Sequence, residues 1–336
     1  MPSLRLMARR LVFNAFGAHA LNNNGAYHWT LEPMPLFCKD DRSIHYLERG
    51  RGEALLLIHG LGSSGADWAL QVAALEGRFR VIVPDLPGSG HSPPLRGGPS
   101  ITEFAAALWA LLDHLRESRV NIVGFSLGGA VGLEMSLQRP AAVRRLALIN
   151  SLANYRLDHW RKWLEACLTM IFVPLLGMRR AARLAAKRLF PMPWQSSLRE
   201  RASAVVSAVP ARSYLESARA LIGWTANDRL DRLSSKTLVI AAEKDYTPLG
   251  EKRALAARLR AQFVVVRGSR HGTPFDAVNA TNAILLALLT DRPLPPAEHR
   301  VCDQTEQLNP LSLAGTVAEE HSRQMMRRFD TRQAAT

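Results

Sequence analysis

A serine at 126, a carboxylate at 243 or 245 and a histidine at 271 occur in this chain in an order that suits acyl transfer. A serine hydroxyl is a poor nucleophile until a neighbouring base takes its proton and a third group orients that base. Ser126 lies in Asn121-Ile122-Val123-Gly124-Phe125-Ser126-Leu127-Gly128-Gly129, where a β-branched apolar run stops and a helical pattern begins. Val131, Leu133, Met135 and Leu137 continue that pattern until Pro140 ends it. Glycines at 124 and 128 flank the serine where strand and helix crowd together and a side chain would clash. This is the G-x-S-x-G nucleophile elbow in its strand–turn–helix context, with the hydroxyl lifted toward a helix N-terminus that favours negative charge.

The partners of Ser126 must come from loops at the same edge of the sheet. The loop after the apolar run Thr237–Ala242 offers Glu243 and Asp245, and the loop after Phe263–Val266 offers His271. The chain has ten histidines, and His271 is singled out because it alone follows the last strand at that edge. An oxyanion needs two backbone N–H groups. Leu127, directly after the nucleophile, supplies one. Leu61, in His59-Gly60-Leu61-Gly62 after the strand Ala54–Ile58, is the expected other. His59 is read as a structural residue that holds this loop by hydrogen bonds.

Repeated strand-then-helix units position these groups. A hairpin is expected over 36–49, with strands over 54–58, 80–83, 120–123, 145–149, 237–242 and 263–266. The intervening helices are expected near 68–75, 101–115, 127–139, 250–260 and 277–289. Strands apolar along their whole length point to a mostly parallel sheet covered by helices on both faces, an α/β fold. From 152 to about 233 no strand pattern appears, only helical segments rich in Leu, Ala, Arg and Trp. The domain reading is a basic N-terminal arm (1–33), a core in two parts (34–151 and 234–291), an inserted helical cap (152–233) and a polar tail (292–336).

At 336 residues and 47% hydrophobic, the chain can bury one large core. Its three cysteines, Cys38, Cys167 and Cys302, lack metal-ligand spacing and fit a reducing, cytoplasmic setting. Arg5, Arg9 and Arg10 before Leu11-Val12-Phe13, with Ala18-His19-Ala20 as a cleavage-like site, keep an exported precursor as a second expectation. No apolar run reaches the roughly 18–20 residues that span a bilayer. The net charge of +14 implies attraction to anionic surfaces or substrates, and no nucleic-acid motif accompanies it. Neither a cofactor nor a metal is expected.

Taken together, His59-Gly60, Asp85-Leu86-Pro87-Gly88-Ser89-Gly90-His91-Ser92, Gly124-Phe125-Ser126-Leu127-Gly128-Gly129, Glu243-Lys244-Asp245 with Pro248, and His271 resemble the α/β-hydrolase superfamily. The closer likeness is to its cap-bearing esterase and lipase branch, over roughly 37–289. The resemblance implies the α/β-hydrolase fold and makes Asp245, three residues before Pro248, the acid. Ser126 separates the chain from the related dehalogenases and epoxide hydrolases, which use aspartate. Two departures stand out: Ala242 and Arg270 replace glycines usual in the family, and Arg270 puts a cation beside the base.

The implied activity is hydrolysis of a small-molecule or lipid ester with a hydrophobic acyl or alcohol part. Thioester hydrolysis, acyl transfer, carbon–carbon hydrolysis and a non-catalytic ligand-binding role are the alternatives. Gly60, Phe125, Ile171 and Phe172 are the expected substrate contacts, the last two within an apolar run over 168–176 that could line an acyl tunnel or simply pack on the core. Arg179, Arg180, Arg183 and Lys187 share one quadrant of a helix that also carries Arg188. That face is either a solvated surface or a docking surface for anionic membrane or an acidic carrier protein.

Overall fold

The computed structural model describes residues 19–21, 27–29, 35–39 and 42–295. Most of the expected arm and tail, the turn residues Asp40 and Asp41, and Cys302 lie outside them. Two short strands that the sequence patterns do not announce, β1 (His19–Leu21) and β2 (Tyr27–Trp29), pair antiparallel. The main sheet holds β3 (Leu36–Lys39), β4 (Arg42–Arg49), β5 (Glu53–Ile58), β6 (Phe79–Pro84), β7 (Val120–Phe125), β8 (Val143–Ile149), β9 (Lys236–Ala242) and β10 (Gln262–Val266). Its order is β10-β9-β8-β7-β5-β6-β4-β3. β4 pairs antiparallel with β3 and β6, while the strands from β6 to β10 run parallel.

The chain leaves β5 toward β6 on one side and returns as β7 on the other. The carboxyl ends of β5 and β7 thus open a crevice at the switch point where such sheets bind ligands. Ser126 follows β7 and the Gly60-Leu61 loop follows β5, so both lie in it.

Both faces of the sheet are buried. Leu56, Ile58, Ile82 and Ile122 pack on α2 (Ile101–His114), α3 (Leu127–Gln138) and α8 (Leu249–Arg258). Leu55, Leu57, Val81 and Val123 pack on α1 (Ala69–Leu75) and α9 (Val278–Leu289). Helix starts follow local chemistry. Ser100 Oγ accepts the Glu103 N–H and Glu103 Oε2 accepts the Ser100 N–H, a reciprocal cap that begins α2.

Between β8 and β9 lie α4 (Trp160–Leu176), α5 (Met178–Leu189), α6 (Ser196–Ala208) and α7 (Ala211–Leu221). The segment leaves and rejoins the core through adjacent stems. Tyr155 N–H donates to Trp224 O at 2.8 Å, Gly223 N–H to Tyr155 O at 3.0 Å, and Ala226 N–H to Ala153 O at 2.8 Å. The buried Glu134 of α3 clamps the returning stem, accepting Arg229 at 3.0 and 2.9 Å and Trp224 Nε1–H at 3.1 Å. No helix among the described residues is long and apolar enough to cross a membrane.

Because the Glu134 carboxylate closes that stem, Glu134→Ala should cost about 2 kcal/mol in urea unfolding, the scale of hydrogen bonds to a charged group. A loss below a few tenths would show that the stem is held by its backbone bonds alone.

Candidate active site

β7 is buried at every position, and its last turn puts Ser126 in an unusual backbone conformation, φ 53° and ψ −115°. A non-glycine residue rarely adopts this, and such strain persists only where the surroundings enforce it. Here they do. Ser126 N–H donates to Ile149 O of β8 at 2.9 Å, while Ser126 O accepts Gly129 N–H and the Ser151 hydroxyl. A Cβ on Gly124 would lie 2.3 Å from Gly128 O, and one on Gly128 would lie 2.2 Å from Ile58 O. Strand, helix and the end of β5 therefore touch backbone to backbone, and only glycine fits.

The Ser126 hydroxyl donates to His271 Nε2 at 3.0 Å, and His271 Nδ1–H donates to Asp245 Oδ1 at 2.9 Å. The tautomer follows from the partner, since an ionised carboxylate can only accept. Glu243 is turned elsewhere: its Oε2 accepts the Gly268 N–H. Asp245 also accepts Thr247 N–H and Oγ1–H, and it forms an ion pair with Lys252, whose side chain is 0% exposed. Burial pushes the Asp245 carboxyl up, but the hydrogen bond from His271 and the ammonium of Lys252 outweigh it and hold the group far below the usual carboxylate range. Burial likewise pulls the Lys252 ammonium below its ordinary value, against the opposing charge of Asp245.

Asn150, at φ 48° after β8, ties these loops together. Its Nδ2 donates to His271 O at 2.8 Å and Thr273 Oγ1 at 2.7 Å, and its Oδ1 accepts Ala242 N–H at 2.7 Å. The buried Asp276 receives Ser269 Oγ–H and the N–H of Arg270, so the Arg270 backbone is pinned by a neighbouring acid. In the loop after β5, His59 Nδ1–H donates to Gly60 O and Nε2 accepts Leu86 N–H, each at 2.9 Å. Burial lowers its pKa below the usual histidine value despite Asp85 nearby, so it sits neutral between two backbone groups. Asp85 in turn accepts Gly65 N–H and His91 N–H, which folds the 85–92 loop.

A cavity of about 890 Å³ opens above Ser126 and is mostly apolar. Leu61, Phe125, Leu152, Tyr214, Tyr246 and Phe275 line it together with Ser126 and His271, and α4, α5, α6 and α7 contribute the rest of the lining as its roof. The Tyr246 ring stacks on His271 at 4.3 Å between centroids, and the Arg188 guanidinium lies 4.2 Å over Tyr246. Gly60 is covered by the Phe125 ring and does not line the cavity, whereas Phe125 does. Ile171 and Phe172, expected as acyl contacts, do not line it either: they are 51% and 40% exposed. α4 lines the cavity with Trp160, Lys162, Leu164, Ala166 and Thr169, and Ile171 and Phe172 are not among them. Of the five cations on α5, only Arg188 lines the cavity. Lys252, Asn150 and Tyr246 are site residues that sequence patterns do not mark, and Arg188 is marked there only as one cation of the basic helix. Among the described residues no cluster of His, Cys, Asp or Glu could hold a metal ion.

The buried pair gives a stability prediction. Lys252→Met alone should cost about 3 kcal/mol, the scale of a broken buried pair, and much less in an Asp245→Asn background. Equal costs in both backgrounds would mean the two groups are not coupled. The folded pKa of Asp245 lies below its unfolded value of about 3.9, so its contribution is complete above that pH and is lost as pH falls through the folded value. The acid limb of unfolding should therefore be shallower in Asp245→Asn.

Residues 53–278 match the family model described as the alpha/beta hydrolase fold. The chain is 31% identical over 263 residues to a protein of Stutzerimonas stutzeri provisionally named carbamate hydrolase RutD, covering 74% of this chain and 97% of that one. Among solved structures it is similar to a hydrolase from Pseudomonas aeruginosa PA01, with a TM-score of 0.69, 26% identity and coverage of 77% and 98%. It also resembles the enol-lactonase from Burkholderia xenovorans LB400, with a TM-score of 0.70, 23% identity and coverage of 76% and 100%. With the family model spanning two thirds of its length and the strand order, elbow and hydrogen-bonded loops described above, this chain belongs to the α/β-hydrolase family.

Proposed function

We propose that this hydrolase cleaves carboxylic esters with a sizeable apolar acyl or alcohol part, through an acyl-enzyme on Ser126. The observation that carries the reading is the continuous hydrogen-bonded chain from Ser126 through His271 to Asp245 at the floor of an apolar cavity. His271 takes the hydroxyl proton as Ser126 attacks the ester carbonyl, then gives it to the departing alcohol. Asp245 keeps the imidazole in the required tautomer and stabilises the imidazolium. The N–H groups of Leu61 and Leu127 hold the oxyanion. The close approach of Gly128 to Ile58 and His59, which brings the start of α3 under the 59–62 loop, supports that pairing. Water then enters and attacks the acyl carbon as His271 takes its proton, and the bond to Ser126 Oγ breaks as His271 returns that proton to the serine, releasing the acid. The roof formed by α4–α7 acts as a cap that selects substrate.

The name carried by the relative from Stutzerimonas stutzeri suggests a carbamate instead, and the same nucleophile could attack one. The size and apolar lining of the cavity favour the ester with a larger hydrophobic part, because a small polar substrate would leave most of that surface in contact with water.

Kinetics on chromogenic esters of graded chain length test this. kcat/KM should rise as the acyl chain lengthens from acetate, each buried methylene adding about 0.8 kcal/mol until the cavity is filled. Falling values from the shortest ester onward, or faster turnover of a small carbamate, would overturn the reading. On the best ester, Asp245→Asn should lower kcat by about 10⁴, as when a triad base is held in the wrong tautomer, and Glu243→Gln should change it little. The opposite ranking would remove Asp245 from its role.

A further inference from the structure

α4 is apolar on the outside. Trp163 is 56%, Ile171 51% and Leu175 74% exposed, and Trp160 and Leu164 are exposed beside them. At about 100° per residue these five fall within an arc of roughly 120°, one stripe along the helix rather than scattered surface residues. Gly177 alone separates α4 from α5, and the two helices pack together. α5 exposes Arg179, Arg180, Arg183 and Lys187, carries no acidic residue, and buries Ala182 and Ala186 on its other side. Trp160 and Leu164 belong both to the exposed stripe and to the lining of the cavity, so the stripe runs into the mouth of the site.

We infer that the α4–α5 face docks on an anionic lipid surface, with the α4 stripe seated at the headgroup–acyl boundary and the α5 cations on the lipid phosphates. Complementarity of charge and of polarity selects that occupant. A membrane interface offers an apolar layer directly beneath an anionic one, and α4 and α5 present those two surfaces side by side. Indole rings at the cavity end of the stripe suit the interfacial zone. The contact is peripheral. Given the ester reading, it sets the cavity mouth against the layer in which a lipophilic ester dissolves. The docking itself does not depend on that reading.

The test uses the full chain and vesicles of phosphatidylcholine with and without phosphatidylglycerol, read by sedimentation. Binding should appear only with phosphatidylglycerol and weaken as salt rises, since exposed charges are screened beyond about 8 Å in physiological salt. The triple change Arg179→Glu, Arg183→Glu and Lys187→Glu should lower the partition coefficient at least about tenfold, each basic residue near such a surface contributing about fivefold. Ile171→Glu with Leu175→Glu should lower it similarly while the thermal melt stays unchanged. Protein that remains in the supernatant with anionic vesicles at low salt overturns the proposal. So does binding that survives both sets of changes, or that responds to the charge changes alone. A dimer that Ile171→Glu with Leu175→Glu dissolves, without vesicle binding, assigns the stripe to a second copy of the chain and overturns it as well. Vesicle binding by a chain inert toward every ester would remove the ester reading and leave the docking in place.

Discussion

Everything at this site depends on how closely a strand, a helix and a neighbouring strand end approach one another around Ser126. The serine holds a backbone conformation that an L-residue avoids, and the contact is possible only because positions 124 and 128 lack side chains. The strain is borne by a β7 buried along its whole length and by hydrogen bonds from β8 and Ser151. In return the hydroxyl is fixed above the sheet edge, at the crevice where β5 and β7 diverge. A looser turn would leave the same residues present and unable to meet.

Charge is the second constraint. Asp245 is buried, and burial alone would favour its neutral form. His271 on one side and Lys252 on the other reverse that preference, with Thr247 satisfying the remaining lone pairs. Asn150 joins the ends of β8 and β9 to the loop after β10, so Asp245, His271 and Ser126 are all referred to neighbouring strands of one sheet. The cavity roof, by contrast, comes from helices attached through a narrow stem that Glu134 clamps to α3, the helix that follows Ser126.

What the sequence disclosed follows from how local each signal is. The elbow is legible because its two glycines and serine sit close together in sequence, although Gly128 answers to Ile58 at the end of β5, and the strands are legible because burial on both faces makes them mostly apolar. His271 could be found once strand order was assumed, whereas that order left Glu243 and Asp245 open and only the family resemblance, through Pro248, selected Asp245. Lys252 could not be found, since a lysine buried against a carboxylate carries the same letter as one on the surface. Asn150 acts through Ala242 and Thr273, about a hundred positions away, and Tyr246 through a ring contact with His271 on another loop, so a fold is needed to see either. Ile171 and Phe172 misled because a run apolar at nearly every position has no phase. Only packing decides which residues of α4 reach the cavity, and these are Trp160, Lys162, Leu164, Ala166 and Thr169 instead. The short strands β1 and β2 lie where composition spoke only of a basic arm.

The central claim is that Ser126 is the nucleophile of an acyl-enzyme. It is tested most directly by reacting the full chain with a fluorophosphonate, which mimics the acyl step, and mapping the adduct by peptide mass spectrometry. The account predicts a single adduct on the peptide containing Ser126, absent after Ser126→Ala and strongly slowed after His271→Ala. An adduct on a different serine, or one that persists in Ser126→Ala, would contradict it.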